Sequence, residues 1–314
     1  MISPLLELAG AVEADPPDRG VAAHYGDPYR EQRQLAEHAA LVDRSNRGIL
    51  RVSGPDRLSW LHSLTSQHLS HLPPHEPVQG LVLDPHGHVE HHFTAYDDGT
   101  STWLDVEPGT AESLLGYLKS MVFMLRVEPA DVTDAWALLT VGGPESPAIE
   151  GARHLPWGSD VLVPRAEMRR FQEDLGLPVA GMDAFEALRV AAHRPRLGKE
   201  TDHRTIPHEL GWIGTAVHLD KGCYRGQETV ARVHNLGRPP RRLVFLHLDG
   251  SDSTLPATGD PVSSDDRQVG YVGTAVRHYE LGPVALAVVK RNTPDDAELI
   301  AGGVPAKVER VVDV

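Results

Sequence analysis

The chain has 314 residues, enough for about two domains, and 40% of them are hydrophobic, enough to build real cores. Its net charge of −14, from 30 basic and 44 acidic side chains, opposes general binding to nucleic-acid phosphates but leaves room for a small basic pocket for an anionic ligand. A single cysteine, Cys223, excludes an intrachain disulfide, a Cys-rich zinc site and a cluster held by this chain's thiolates alone.

No run of 18 apolar residues exists to span a bilayer. Met1–Gly10 is short and acidic for a secretory segment, and Glu7, Glu13 and Asp15 oppose an Arg-rich transit peptide. A cytoplasmic protein with no membrane partner is expected.

In chain order, residues 1–27 read as a loose lead-in. Leu35, Ala39 and Val42 are spaced for one face of a helix over residues 28–41. Residues 48–52 read as a strand. Ser53 or Gly54 then caps a helix with Pro55 at its first position and Leu58, Leu61 and Leu64 on its buried face. A hairpin follows: Leu81–Leu83 enters Asp84-Pro85-His86-Gly87, a type I turn with Pro second and Gly fourth, and the chain returns through Tyr96. Asp97-Asp98-Gly99 turns it into a strand at 102–106, and a helix over about 110–121 comes next. A second set has strands at 125–127, 136–141 and 160–163 and helices over about 165–175 and 182–192. The two sets read as α+β units of similar make-up.

The paired prolines of Gly237-Arg238-Pro239-Pro240-Arg241-Arg242 exclude helix and central strand and mark the best boundary. The expected domains are 1–240 and 241–314. Beyond the boundary, short strands at 243–248, 268–275, 284–291 and 306–312, separated by Gly turns, fit a small β-barrel.

Taken alone, Cys223 reads as a small buried hydrophobe. Its neighbours support a second reading. Gly222 and Gly226 bracket a tight turn where a thiol is reachable. Lys221 and Arg225 favour thiolate by their charge, and Gln227 and Glu228 add an amide and a carboxylate. The residues alone leave a functional site and an ordinary surface turn both open.

The run Lys221-Gly222-Cys223-Tyr224-Arg225-Gly226-Gln227-Glu228 resembles the K-G-C-Y-x-G-Q-E signature of the YgfZ family, tetrahydrofolate-binding proteins of iron–sulfur cluster maturation. The resemblance continues through Asp43–Arg57, Leu83–His91, Ile206-Pro207-His208-Glu209 and Leu281–Ala287. It implies an α+β fold shared with the glycine cleavage T-protein: two intertwined α/β subdomains around a central folate pocket, plus a C-terminal β-barrel. It implies a reduced folate, such as tetrahydrofolate, as cofactor, and iron–sulfur client or assembly proteins as partners. Cys223 is then the working thiol and Lys221 the residue that tunes it, while Tyr224, Gln227, Glu228, Arg232 and Glu209 are candidates for folate contact. No metal site is implied.

Two positions depart from the T-protein pattern. Its Asp-Asp pair, which serves aminomethyl transfer, falls on His91 and His92, and its folate-contacting Glu falls on an alanine in Arg189-Val190-Ala191-Ala192. Both weigh against the alternative reading, a folate-dependent aminomethyltransferase, and leave Glu209 or Glu228 as substitute carboxylates. His86, His88, Glu90 and His92 alternate along a strand and could share a face; a solvated polar face is the plainer reading than a metal site. Arg238, Arg241 and Arg242 read as a solvated hinge or as partners for a folate's glutamate tail.

Overall fold

The protein, seen here as a computed structural model, is described over residues 1–251 and 254–311. Its first 27 residues are more ordered than their composition suggests. A 3-10 helix, Pro4–Glu7, is capped by Ser3 and buries Leu5 completely. The Ser3 hydroxyl also donates to the buried Asp43 carboxylate. Strand β1 (Val12–Glu13) pairs with β2 (Ala22–His24). Apolar contact and one buried hydrogen bond thus tie down a segment whose sequence carries no periodicity.

Asp27 accepts hydrogen bonds from the backbone of Tyr29 and Arg30 and starts α1 (Pro28–Glu37), with Pro28 at the first position. The helix stops four residues earlier than its apolar spacing predicts. Ala40–Asp43 forms β3, a fully buried strand. Val42 is therefore buried by a sheet and not by a helix face; a continuous apolar run suits either. Strand β4 (Gly48–Ser53) follows, then α2 (Arg57–Leu64), which buries Trp60, Leu61 and Leu64. Neither Ser53 nor Gly54 caps it. Asp56 sits at the cap position with its carboxylate turned to Arg126.

Strands β5 (Val78–Leu83), β6 (Val89–Asp97) and β7 (Ser101–Val106) precede α3 (Ala111–Ser120). The expected strand at 125–127 lies further on, as β8 (Glu128–Asp131), because its register is set by pairing Glu128–Asp131 with Ser53–Leu50 of β4. Phe123, Met124 and Leu125 are left exposed. Next come β9 (Trp136–Gly142), β10 (Arg153–Leu155), β11 (Gly158–Pro164), α4 (Met168–Leu175), β12 (Val179–Ala180) and α5 (Met182–Ala191).

These strands make two five-stranded sheets, in the orders β10-β11-β9-β3-β12 and β5-β6-β7-β4-β8. Apart from β12 beside β3, their described pairings are antiparallel. Leu41, Leu139, Val161 and Met168 pack in one core, and Ile49, Tyr96, Trp103 and Leu138 in another.

Helix α6 (Gln227–Leu236) leads to β13 (Arg241–Leu248), β14 (Pro261–Ser264), β15 (Arg267–His278), β16 (Gly282–Lys290), β17 (Glu298–Ala301) and β18 (Val304–Arg310). They close a barrel in the order β13-β16-β15-β14-β17-β18. Val244, Leu246 and Leu248, at alternate positions, fill it with Val272, Ala287 and Leu299. Strands β14 and β17 are short and were not legible as strands. Residue 312, the expected end of the last strand, is outside the described residues.

The chain divides into two compact units. The first holds Met1–Leu81 and His91–Phe185, the second Val82–Glu90 and Glu186–Val314. The tip of the β5–β6 hairpin thus belongs to the second unit, which also carries the Cys223 motif. Among the described residues, no helix is long and apolar enough to cross a membrane.

Candidate functional site

The motif Lys221–Glu228 is a non-repetitive stretch running into the first turn of α6. Gly226 makes the change of direction at φ +81° and occupies the cap position of α6. It cannot be replaced freely: a β-carbon there would lie 2.5 Å from the Asp84 carbonyl oxygen and 3.0 Å from Gly87 Cα. Gly87, at φ +85°, is pressed in turn against Thr229, where a β-carbon would come within 2.7 Å. The hairpin tip is tight in its own right. The Gly87 N–H donates to the Asp84 carbonyl, and the Asp84 carboxylate accepts from the N–H groups of His86 and His88. Val89 N–H donates to the Thr205 carbonyl, and Arg225 pairs with Glu90 at 3.0 Å. Two glycines at close approach and one ion pair therefore seat the motif on the hairpin tip. Gly222, by contrast, has open space around its Cα.

Cys223 is exposed, so the reading of a core-filling cysteine is set aside. Lys221 is buried, with its ammonium 4.9 Å from the centre of the Tyr224 ring. Burial lowers its pKa to about 8 and pushes the buried Tyr224 phenol up to about 12. Each of the two cations expected to favour the thiolate also contacts another group, Lys221 the face of the Tyr224 ring and Arg225 the Glu90 carboxylate. Gln227 is half-buried, and Glu228 and Arg232 on α6 are exposed.

Glu209 is fully buried, and Arg241 engages both its oxygens, from Nε to Oε1 at 2.9 Å and from Nη2 to Oε2 at 2.8 Å. Arg241 also pairs with Asp202 at 2.5 Å. Arg242 is buried and donates to the Thr293 carbonyl and to Asp295. Neither arginine is a solvated hinge residue or turned to a ligand tail, because both are committed within β13 to carboxylates. Arg238 is exposed. Sequence spacing gave no signal for the Arg241–Glu209–Asp202 brace, in which Arg241 lies more than 30 positions from both carboxylates.

A second buried network surrounds Arg189, which pairs with Glu186 at 2.7 Å and Glu200 at 3.2 Å and donates to Thr274. Burial pushes the Glu200 carboxyl up, against the pull of Arg189.

Three of the four alternating residues of the hairpin go to separate partners. His88 pairs with Asp84 and Glu90 with Arg225, while His92, in the first unit, bonds Gln79 at 2.9 Å. His86 is exposed. Among the described residues, no three His, Cys, Asp or Glu side chains group to hold a metal ion. His91 is buried, and burial lowers the His92 pKa to about 4, with Arg47 adding to the effect. At neutral pH His92 is an uncharged imidazole.

Residues 24–152 match the family described as the GCVT N-terminal domain, and residues 241–311 match the CAF17 C-terminal β-barrel domain. The chain aligns over 98% of its length, and 95% of the other, with the crystal structure of glycine cleavage system aminomethyltransferase T from Bartonella henselae, at a TM-score of 0.83 and 18% identity. The fold matches that of the glycine cleavage T-protein. Among curated relatives, the T-protein-like chain is 26% identical to an aminomethyltransferase of Nostoc sp., over 89% of this chain and 85% of that one. It is 27% identical to an aminomethyltransferase of Rubrobacter xylanophilus, over 88% and 84%. A chloroplastic Arabidopsis thaliana protein, provisionally named a transferase, is 26% identical over 77% of this chain, which spans 64% of that protein's length.

Proposed function

We propose that this chain is a reduced-folate-binding protein that serves the assembly or repair of iron–sulfur proteins, with Lys221–Glu228 as its working site and Cys223 as its working thiol. One observation carries the reading. An exposed thiol stands on a segment whose backbone is locked from beneath by the Gly226–Gly87 contact and the Arg225–Glu90 pair. A surface turn without a task needs no such seat, and a loop residue held on a rigid support is the usual form of a working group.

The donor set suits a folate in part. Glu228 offers a carboxylate to a pterin's adjacent N–H donors, Gln227 an amide, and Tyr224 an aromatic side chain. Arg232 offers a guanidinium to the carboxylates of a glutamate tail. With the Glu209 oxygens engaged by Arg241, Glu228 is the better of the two carboxylates for the pterin. When bound, a reduced folate supplies a carrier for one-carbon units. Lys221 holds a cationic or neutral amine beside the Tyr224 ring, and Cys223 presents its sulfur to solvent and so to partner proteins.

The names of the relatives favour a second reading, folate-dependent aminomethyl transfer. Against it stand His91 and His92 at the positions of the T-protein's carboxylates. A neutral His92 supplies no negative charge to a cationic amine intermediate.

Titration calorimetry with tetrahydrofolate tests the proposal. Binding in the micromolar range is expected, and no heat or competition at millimolar folate overturns it. An assay for ammonia release from an aminomethyl-loaded lipoyl carrier separates the two readings, since robust release would favour the transferase.

A further inference from the structure

In the first unit, α3 and β8 bound a groove of about 610 Å³. Leu115 and Val122 line its α3 side, and Val127, Pro129 and Ala130 its β8 side. The turn that joins the two sides carries Phe123, Met124 and Leu125, three consecutive apolar side chains in solvent, with Phe123 69% and Met124 104% exposed. Contiguous apolar surface of this kind marks an interaction site.

The tip is anchored at both ends. The Trp60 indole N–H donates to the Met121 carbonyl, and Arg126 donates from its backbone and its guanidinium to Asp56. Met124 has a left-handed backbone, φ +48°, which a residue with a side chain keeps only where its surroundings fix it. A surface already fixed in shape loses little conformational entropy when a partner covers it.

Charge on the two sides selects the partner. Lys119 stands on the α3 side, and Glu128 and Asp131 on the β8 side, all exposed. Among the described residues, the Lys119 and Glu128 side chains carry no hydrogen bond or ion pair. An acidic partner is repelled by one side and a basic partner by the other. A second copy of this chain carries the matching set. With a two-fold axis along the groove, Lys119 of each copy lies over Glu128 of the other, and the two apolar tips meet. An extended peptide added at the sheet edge is a poorer occupant, because β8 is four residues long and its Pro129 has no N–H to donate.

We infer that the α3–β8 face is the two-fold interface of a homodimer, formed by the Phe123–Leu125 tips and by reciprocal Lys119–Glu128 pairs. No residue of Lys221–Glu228 belongs to this face, so the inference stands apart from the functional proposal.

Sedimentation equilibrium of the full chain at micromolar concentrations tests it, and a monomer–dimer equilibrium is expected. Phe123→Ser combined with Met124→Ser should weaken association about tenfold or more, while the far-ultraviolet spectrum of dilute protein stays unchanged, since both side chains are exposed. Lys119→Glu alone and Glu128→Lys alone should each weaken it by about tenfold, because each sets like charges opposite one another twice. The first change makes the chain more acidic and the second less, so general repulsion between copies does not account for a loss in both. Mixing the two variants should restore most of the dimer as a heterodimer, since both contacts are then opposite in sign. A different protein as occupant would leave this chain monomeric on its own. A monomer at every concentration, a dimer that these changes leave intact, or weakening by both reversals with no rescue on mixing overturns the inference.

Discussion

Gly226 stands against Gly87, so that a β-carbon on the first would lie 3.0 Å from the Cα of the second. One glycine belongs to the Cys223 motif and the other to the turn of a hairpin 139 positions earlier in the chain, and both have positive φ. Gly226→Ala must therefore adopt a left-handed backbone and also push away the Asp84 carbonyl. A loss of about 1–3 kcal/mol in unfolding free energy is expected. Gly222→Ala, in open space, should change stability by less than about 0.5 kcal/mol. Urea unfolding of the two variants checks the contrast, and equal effects would show that the close approach does not matter.

The Arg241 brace makes a larger prediction. Arg241→Met leaves the fully buried Glu209 carboxylate without its guanidinium, a situation that costs about 3–5 kcal/mol. Adding Glu209→Gln removes the stranded charge and should recover part of the loss. Unfolding midpoints of the single and double variants measure this, and a single-variant loss below about 1 kcal/mol would contradict the brace.

Acid should weaken the fold through two imidazoles, one in each unit. Burial lowers the pKa of His208 to about 4, with nearby His234 adding to the effect, and that of His92 likewise to about 4. Both start from 6.5 in the unfolded chain, so between pH 6.5 and 4 the unfolded state binds more protons. Their stabilisation is complete above pH 6.5 and is lost as pH falls toward 4. Each contributes on the order of 1–3 kcal/mol to that decline. His208→Leu should flatten the slope of stability against pH in this window, and an unchanged slope would show that His208 titrates normally. Both ring nitrogens of His208 are buried and make no hydrogen bond, so the variant removes no hydrogen-bond partner.

The sequence showed more of the barrel and the motif than of the early chain. The short strands separated by Gly turns and the turn chemistry of Asp84–Gly87 are local signals, and both correspond to observed structure. The motif's eight residues were legible as a unit because they are contiguous. The β3 strand was hidden because Ala40–Asp43 is buried along its whole length, leaving no alternation to read. Residues 1–27 looked loose because Leu5 and Ser3 gain their order from distant Leu41 and Asp43. The seat beneath the motif and the Arg241 brace were illegible for the same reason, being made by pairs far apart in the chain. The roles of Arg241 and Arg242 were misjudged from a run of prolines and charges that says nothing about which carboxylates lie opposite.

Cys223 itself gives the most direct test. Because it is exposed, Cys223→Ser should fold with stability within about 0.5 kcal/mol of wild type and bind tetrahydrofolate with the same affinity. The decisive measurement is the activity of several cluster-dependent enzymes in cells deleted for this chain and supplied with either wild type or Cys223→Ser at equal protein level. Wild type should restore those enzymes broadly and Cys223→Ser should fail to. Full restoration by Cys223→Ser, or no loss of cluster-dependent activity on deletion, would contradict the assignment of Lys221–Glu228 as the working site of an iron–sulfur factor.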